Sequence, residues 1–198
     1  MRSVVSPRKL VAAFVVVAVV LGLGSIGVSG AATRATAAAK PPKTVTATPI
    51  TRRKGTLATG SSVRAAAVSG QRVFTDAKHG FALAAVGSAQ YAVATADGGK
   101  TWKTYGPALH LNAAQAPLSV SFIGAVSRKT VFAWGGGQVI DATNDGGKHW
   151  YSALFTTGVP VAVVRDIQGH ITAFVGSPSG GSTSRYVSKD GGRTWHLA

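Results

Sequence analysis

The sequence predicts an all-β fold, and three observations support this prediction. The chain of 198 residues has six acidic residues, and every one of them is Asp. The absence of Glu removes a good helix former, whereas Asp is a poor one. Twenty-five glycines and short runs rich in Val and Thr favour strands joined by tight turns, with no long stripe of helical period. The third observation is a phrase that occurs three times, as TADGGKTW, TNDGGKHW and SKDGGRTW.

The three copies of this phrase, which we call boxes, share one spacing. Their Asp residues stand at positions 97, 145 and 190, and a Trp follows each Asp by five positions. Paired glycines supply the positive φ angles of a tight turn, and the Asp and the preceding Ser or Thr accept backbone N–H bonds within it. The Trp buries a large ring on the following strand. A structural role is therefore predicted for Thr95, Asp97, Gly98, Gly99, Trp102, Thr143, Asp145, Gly146, Gly147, Trp150, Ser188, Asp190, Gly191, Gly192 and Trp195.

Each box ends a longer repeating unit. An apolar run, a polar turn, a second apolar run, a Gly-containing turn and a third short run precede every box. With the run through the Trp, each unit has four short strands joined by hairpins. Four antiparallel strands in about 45 residues are typical of one β-propeller blade. We therefore predict a propeller-like domain over 70–198, with blades at about 70–108, 117–156 and 159–198.

Three blades are too few to close a ring. Closed propellers have about four to eight blades, and an open array leaves sheet edges that invite pairing. Three solutions are compatible with the sequence. Two chains complete a six-bladed ring as a homodimer, strands from residues 50–70 add to the array and cover an edge, or the chain is a shortened relative of a longer propeller. The fold prediction is thus a partial, about three-bladed, β-propeller-like array of four-stranded antiparallel sheets, preceded by an N-terminal apolar helix.

The boxes carry a family resemblance. They resemble the Asp-box, or BNR repeat, of sialidases, sortilin-like receptors and bacterial BNR-repeat proteins. With Gly80–Ala82 and Val86-Gly87 upstream of the first box, residues 70–198 are most similar to the photosystem II stability/assembly factor-like group. This resemblance implies a propeller hairpin at each box and no particular activity, and it implies a photosynthetic assembly role only in a photosynthetic host. The middle box departs from the pattern, because His149 stands where Thr is usual.

The N-terminal third differs in composition from the repeats. Residues 1–33 place basic residues before an uncharged apolar run, which predicts either a signal peptide or a single-span membrane anchor. Residues 34–69 are basic, rich in Ala, Thr and Pro, and free of acids, so we predict a flexible linker. Both N-terminal alternatives place the rest of the chain outside the cytoplasmic membrane, secreted or anchored. There the linker's charge is either solvated or attracted to an anionic membrane or wall.

Composition and spacing argue against several classes of function. The sialidase resemblance implies a Tyr nucleophile paired with a Glu, and this chain has no Glu. Other glycosidases need two carboxylates at a defined separation, and three of the six Asp belong to boxes. No two histidines share a metal-binding spacing and no Cys is present, so no metal site and no cofactor are predicted. The basic linker lacks interleaved aromatic residues for stacking bases, so nucleic acid is not a predicted partner.

Two residues outside the boxes are candidates for a ligand-binding face. Asp141 lies four positions before its box Asp, where the other units have Val93 and Tyr186, so an acid replaces an apolar residue on a strand. It faces solvent, pairs with a neighbouring cation such as Arg128 or Lys148, or lines a ligand face. Trp134 lies outside the boxes and precedes three glycines. It is either a buried blade residue or an exposed surface that stacks on a sugar or a peptide.

The function predicted from these observations is binding without catalysis. We expect an exported or membrane-anchored binding or scaffold protein, whose propeller surface contacts envelope or secreted proteins. The alternative is a carbohydrate-active protein, either a glycan-binding module or a degenerate sialidase-like glycoside hydrolase. Glycan binding or hydrolysis of a sialoside would favour the alternative, and turnover that is abolished in Asp141→Ala would contradict the prediction that the protein is not an enzyme.

Overall fold

A computed structural model describes residues 39–111, 117–178 and 180–198. These residues form sixteen short strands and one 3₁₀ turn, Ala65–Ala67, which confirms the all-β prediction. No helix within these ranges is long and apolar enough to cross a membrane. The predicted signal peptide or anchor, with its apolar helix, falls on residues 1–33 and lies outside the described residues.

The strands are short and are separated by turns throughout. In chain order they are β1 (Thr44–Thr46), β2 (Thr48–Ile50), β3 (Ser62–Val63), β4 (Val68–Phe74), β5 (Gly80–Val86), β6 (Ala89–Thr95), β7 (Trp102–Thr104), β8 (His110–Leu111), β9 (Phe122–Ala125), β10 (Val131–Trp134), β11 (Val139–Thr143), β12 (Trp150–Leu154), β13 (Val159–Arg165), β14 (Ile171–Gly176), β15 (Thr183–Ser188) and β16 (Thr194–Leu197).

The strands form three antiparallel sheets, one for each predicted unit. Sheet 1 has the order β3-β7-β6-β5-β4 with β8 paired to β6, sheet 2 has the order β2-β12-β11-β10-β9, and sheet 3 has the order β1-β16-β15-β14-β13. Four consecutive strands, β4–β7, β9–β12 or β13–β16, make up each repeating unit. The prediction of four-stranded antiparallel units is therefore confirmed. Sheets 2 and 3 each have one strand more than predicted, and sheet 1 has two more, β3 and β8.

Two of the three core clusters lie between successive sheets, and the third, which contains Trp102, belongs to sheet 1 alone. Phe81 of sheet 1 packs in one cluster with Ile123, Val131 and Trp150 of sheet 2. Because side chains alternate along a strand, the next residue of β10, Phe132, joins a different cluster on the other face of sheet 2. Sheet 2 thus buries both of its faces, which explains why its third strand is buried at every position.

The second cluster joins sheet 2 to sheet 3. Ile140 of sheet 2 packs there with Ile171, Tyr186 and Trp195 of sheet 3. The rings of the three box tryptophans are at most 2% exposed, so they are among the most buried side chains of the described chain. Burial of such a large ring on every last hairpin strand makes each box a packing element as well as a turn.

An N-terminal strap, defined as residues 44–63, supplies one additional strand to every sheet. Its strands pair with the sheets in reverse order, since β1 joins sheet 3, β2 joins sheet 2 and β3 joins sheet 1. In each pairing an apolar strap residue stands opposite a box Trp. The three pairs are Val45 with Trp195, Ile50 with Trp150 and Val63 with Trp102. The strap therefore covers the outer edge of all three sheets at the position of the box Trp.

The strap corrects the prediction of a flexible linker over residues 34–69. In TVTATPI, Thr alternates with Val45, Ala47 and Pro49, which suits a strand with one buried face. Pro49 has no backbone N–H to donate. It is tolerated because β2 is an edge strand, whose outer side makes no hydrogen bonds to another strand of the sheet. The suggestion that strands from residues 50–70 cover an edge describes part of this arrangement. The pairing begins earlier, at Thr44, and it reaches all three sheets rather than one.

Candidate functional site

The first box shows how its Asp holds the hairpin turn. The hydroxyl of Thr95 donates to Asp97 over 2.7 Å and accepts the N–H of Gly99 over 2.9 Å. Asp97 also accepts the backbone N–H of Thr101 at 2.9 Å and its hydroxyl at 2.6 Å. The indole N–H of Trp102 donates to the carbonyl of Gly99 over 3.1 Å. The carboxylate of Asp97 therefore bonds to groups of its own turn, and the indole of Trp102 bonds to a carbonyl of the same turn.

The third box repeats this pattern with Ser in place of Thr. The hydroxyl of Ser188 donates to Asp190 over 2.8 Å and accepts the N–H of Gly192 over 2.8 Å. Asp190 accepts the N–H of Thr194 over 3.0 Å, and Trp195 donates to the carbonyl of Gly192 over 3.0 Å. The paired glycines of all three boxes have φ between 74° and 96°, a region that side chains other than Gly rarely adopt.

The middle box differs at two points. His149 replaces Thr as the second donor, with its N–H 3.0 Å and its Nδ1 2.6 Å from the carboxylate of Asp145. The indole N–H of Trp150 donates across the sheet interface to the carbonyl of Tyr105, over 2.7 Å. Gly106 permits this approach, because a Cβ at that residue would lie 2.3 Å from the indole nitrogen. The middle box thus ties sheet 2 to the end of sheet 1.

Hydrogen bonds in these turns lower the pKa values of the Asp side chains. The pKa of Asp97 falls well below its ordinary value, mainly because the Thr101 hydroxyl and then the Thr101 N–H bond to the charged form. The backbone N–H of His79 is the main cause that lowers the pKa of Asp76 to about 2. For Asp145, burial raises the pKa, but hydrogen bonds in the box outweigh it and the pKa falls to about 2. The pKa values of two further turn carboxylates, Asp166 and Asp190, are also lowered.

We expect acid to destabilise the protein through these turns. Their folded-state pKa values lie below the unfolded value of about 3.9, so their stabilising contribution is complete above that pH and is lost as pH falls through the folded values. The melting temperature followed by circular dichroism should therefore fall steadily between about pH 5 and pH 2. Asp97→Asn should show a shallower decline than the wild type. A melting temperature that is the same at pH 6 and pH 2 would contradict this explanation.

Asp141 occupies a position that neither sequence expectation describes. Its side chain is fully buried, and its Oδ2 lies 2.7 Å from Nε2 of His110, which is also buried. Asp141 therefore neither faces solvent nor lines an exposed ligand face, and its close neighbour is a histidine rather than Arg128 or Lys148. The reason is the alternation along β11, which directs Asp141 to the same face as Val139, toward sheet 1.

Trp134 is half-buried and takes part in packing. Its ring lies 5.6 Å from that of Phe122 and 5.5 Å from that of Phe132, both measured between centroids. It packs against the cluster between sheets 2 and 3. Its indole nitrogen is buried and has no hydrogen-bond partner among the described residues. The structure thus places Trp134 and Asp141 on opposite faces of sheet 2, and they do not form a common site.

A cleft of 490 Å³ beside the first box is the candidate functional site. Phe81 and Tyr105 meet edge to face there, with ring centroids 5.0 Å apart, and give the cleft an apolar floor. Lys103 on β7, His79 before β5 and Arg128 in the turn between β9 and β10 also line it. A floor of aromatic rings with cationic groups beside it suits a ligand that has both an apolar and a negatively charged part.

Hydrogen bonds fix the side of the cleft formed by sheet 2. The hydroxyl of Tyr105 donates to the carbonyl of Arg128. Burial, followed by the nearby charge of Asp145, raises the pKa of Tyr105, which keeps this hydroxyl a donor. The guanidinium of Arg128 lies 3.4 Å from Nε2 of His79, whose Nδ1 lies 2.9 Å from the carboxylate of Asp76. Since Arg128 can only donate, Nε2 of His79 accepts and Nδ1 carries the proton.

This cleft was not predicted from the sequence. Its lining residues are distant in the chain, and none of them has a motif of its own. The one usable signal was the position of Thr95 and Thr101, because both belong to the first box and both line the cleft. The lining described by the structure contains no carboxylate, so the cleft has neither the acid nor the base of a two-carboxylate glycosidase.

Comparisons with known proteins support the interpretation of the boxes as a repeated motif. Residues 186–197 match the model of the BNR/Asp-box repeat. Among solved structures, the chain is similar to one described as YCF48 bound to D1 peptide, with 22% identity and a TM-score of 0.45, over 66% of this chain and 40% of that chain. No curated protein sequence matches the chain. The matched box lies at the end of sheet 3, and the boxes of sheets 1 and 2 have the same Ser/Thr–Asp–Gly hydrogen bonds, so the described residues contain one such turn in each sheet.

Proposed function

We propose that this protein is a non-catalytic binding protein whose cleft beside the first box takes an acidic segment of a partner protein. The observation that carries the proposal is the distribution of charge. The chain has a formal net charge of +15. All four close contacts between a basic and an acidic side chain among the described residues join a His to an Asp, and none of them includes Lys or Arg.

The carboxylates are occupied by the fold itself. Five of the six Asp residues accept hydrogen bonds within turns, and the sixth, Asp141, is buried beside His110. Lys103 and Arg128 at the cleft therefore have no carboxylate of this chain within salt-bridge distance, as far as the described residues extend. Their charge is available to a carboxylate of a partner, and such complementarity favours both encounter and specificity.

The aromatic floor supports a peptide as the ligand. Phe81 is almost fully buried, whereas Tyr105 is half-buried, so the floor offers a limited apolar surface rather than a flat exposed ring. In a bound peptide, an aromatic or aliphatic side chain would fill the apolar part of the cleft. A neighbouring Asp or Glu of the same peptide would then reach Lys103 or Arg128.

The cellular location is part of the proposal. The apolar run of residues 10–33 after three basic residues supports export or membrane anchoring. An exported or anchored chain would meet envelope or secreted proteins, and its basic surface would be attracted to anionic lipids or wall polymers. Protease treatment of intact cells tests this directly, since degradation of residues 39–198 is expected only if they lie outside the cytoplasmic membrane.

Charge reversal at the cleft is expected to weaken peptide binding about tenfold. Each exposed ion pair contributes up to about 1 kcal/mol to the binding free energy. The loss of two pairs worth about 0.7 kcal/mol each would raise the dissociation constant about tenfold. The measurement is fluorescence anisotropy with a labelled peptide that has one aromatic residue between acidic residues. Lys103→Glu combined with Arg128→Glu is the test variant. Arg185→Glu on sheet 3 is the matched control and should retain wild-type affinity.

The same assay separates the alternatives. A peptide with Lys in place of the acids should bind weakly to the wild type, and added salt should weaken the acidic peptide. Equal affinity of both peptides would contradict the proposal. Selective binding on a glycan array, unaffected by charge reversal, would favour the carbohydrate alternative, and hydrolysis of a sialoside would show an enzyme.

A further inference from the structure

A second cavity, of 400 Å³, lies beside the turn between β9 and β10. All three sheets contribute to its lining. Thr75 and Asp76 follow β4 of sheet 1, residues 125–128 end β9 of sheet 2 and begin the turn after it, and Arg165 ends β13 of sheet 3. Arg128 is the single lining residue that this cavity shares with the cleft of the proposed function. The cavity is therefore a distinct place at which side chains of all three repeats meet.

Two guanidinium groups from different sheets border this cavity. Nη1 of Arg165 donates to the carbonyl of Val126 over 2.8 Å, which directs this side chain of sheet 3 to the turn of sheet 2. Arg128 belongs to the same turn, and its Nη1 lies 3.4 Å from Nε2 of His79. Because a guanidinium has five N–H donors, most donors of both groups have no partner among the described residues. Two cationic groups with unused donors thus flank one turn.

Ser127 and Asp76 add a further donor and an acceptor. Oγ of Ser127 accepts the backbone N–H groups two and three positions later, each over 3.1 Å, so its own proton can be donated to a ligand. Oδ1 of Asp76 accepts the N–H groups of Lys78 and His79 over 2.9 and 2.8 Å. Oδ2 has one partner among the described residues, Nδ1 of His79 at 2.9 Å. It therefore has a lone pair available for a ligand that carries a proton.

This combination of groups matches a protonated oxyanion. Guanidinium groups suit the oxygens of a phosphate, because their planar N–H donors can bond two oxygens at once. The carboxylate of Asp76 would repel an anion without a proton, but it would accept a hydrogen bond from one that has a P–OH group. Hydrogen bonds, above all from the backbone N–H of His79, lower the pKa of Asp76 to about 2, so it is a charged acceptor at neutral pH.

From this arrangement we propose that the cavity binds inorganic hydrogen phosphate. Arg128, Arg165 and Ser127 donate to its unprotonated oxygens, and Asp76 accepts its proton. The site selects phosphate over sulfate, because sulfate has no proton at neutral pH and would place an oxygen without a hydrogen against the carboxylate. The four side chains are exposed, so the bound ion keeps part of its hydration and the affinity is modest.

The test is a titration of the full-length chain in mild detergent, followed by NMR of the arginine side-chain N–H groups. Sodium phosphate and sodium sulfate are compared at slightly alkaline pH and equal ionic strength, so that general screening is the same. Phosphate should shift the signals of Arg128 and Arg165 to saturation, and sulfate should bind about tenfold more weakly. The signal of Arg185, an exposed cation of sheet 3 outside the cavity, should stay in place.

Variants separate the parts of the site. Arg165→Gln should weaken phosphate binding about tenfold, because it removes a charge-assisted hydrogen bond. Arg185→Gln is the matched control, since it removes the same charge elsewhere and should leave phosphate affinity unchanged. Asp76→Asn should reduce the preference for phosphate over sulfate. Arg165 lies outside the cleft, so Arg165→Gln should keep wild-type affinity for the acidic peptide, and failure of one proposal is distinguishable from failure of the other.

A phosphate ester is another source of the same group, and methyl phosphate is the probe for it. Its second pKa is about 6, so it has lost its proton at slightly alkaline pH and should bind as weakly as sulfate. The wild-type titration decides the proposal even if a variant fails to fold. The proposal is overturned if phosphate gives no saturable shift of Arg128 and Arg165, if sulfate or methyl phosphate binds as tightly, or if Arg185→Gln weakens binding equally.

Discussion

Replacing Trp150 with alanine is expected to lower the free energy of unfolding by about 3–5 kcal/mol, the range typical of removing a buried aromatic ring. Trp150 is fully buried in the cluster between sheets 1 and 2. Its indole N–H donates to Tyr105 over 2.7 Å, so the substitution also leaves a carbonyl without its donor. The backbone of Gly106 packs directly against the indole, since a Cβ at that residue would lie 2.3 Å from the indole nitrogen. Urea unfolding followed by circular dichroism measures the change.

Two substitutions control this measurement. Trp150→Phe retains most of the ring but removes the N–H donor, so it should cost less, about 1–3 kcal/mol. Phe122→Ala removes an aromatic ring that is 46% exposed on β9, the edge strand of sheet 2 opposite the strap, and it should cost about 1 kcal/mol. If Trp150→Ala were no more destabilising than Phe122→Ala, the box Trp would not be the packing element that we describe.

Removal of residues 40–63 is expected to cause aggregation of the chain. The deletion takes away the strap strand of every sheet and leaves β7, β12 and β16 as open edges. It also removes the buried side chains of Val45 and Val63, each of which contributes roughly 1.5–3 kcal/mol through burial. Open edges beside uncovered apolar residues favour pairing between chains. Size-exclusion chromatography should show aggregates in place of a monomer.

A chain that begins at residue 40 is the control for this deletion, since it retains the whole strap. Its hydrogen-exchange protection in β7, β12 and β16 should equal that of the full-length chain. A deletion variant that stays monomeric with an unchanged melting temperature would contradict the role of the strap. It would show that four strands are sufficient for each sheet, as the sequence alone suggested.

The repeating part of the fold was predictable because its information is local. Each box contains its own glycines, its own hydrogen-bond acceptor and its own Trp within eight residues, so turn and packing follow from neighbours in the chain. The alternating apolar runs before each box similarly specify hairpins of short strands. The middle box shows the limit of this reasoning, because the sequence indicated the change to His149 but not the bond from Trp150 to sheet 1.

The strap was not predictable in the same way. Its strands have only two or three residues each, and basic, Thr- and Pro-rich segments are typical of linkers. Its conformation depends on partners more than 100 residues away for β1 and β2, as in the pairing of Val45 with Trp195. The intrinsic β-propensity of the strap residues says little about such pairing, because the pairing depends on the distant strand edge that is available to the strap.

The sequence by itself determined the all-β class, the three boxes and the four-stranded units, because each follows from contacts between near neighbours. Only the tertiary structure decided where the remaining chemistry lies. It placed Asp141 in contact with His110, brought Lys103 and Arg128 to one cleft, and directed Trp134 into the opposite interface. These positions depend on how the sheets stack and on which face of a strand is buried. A pattern of residues along one strand cannot specify the neighbour that packs against it.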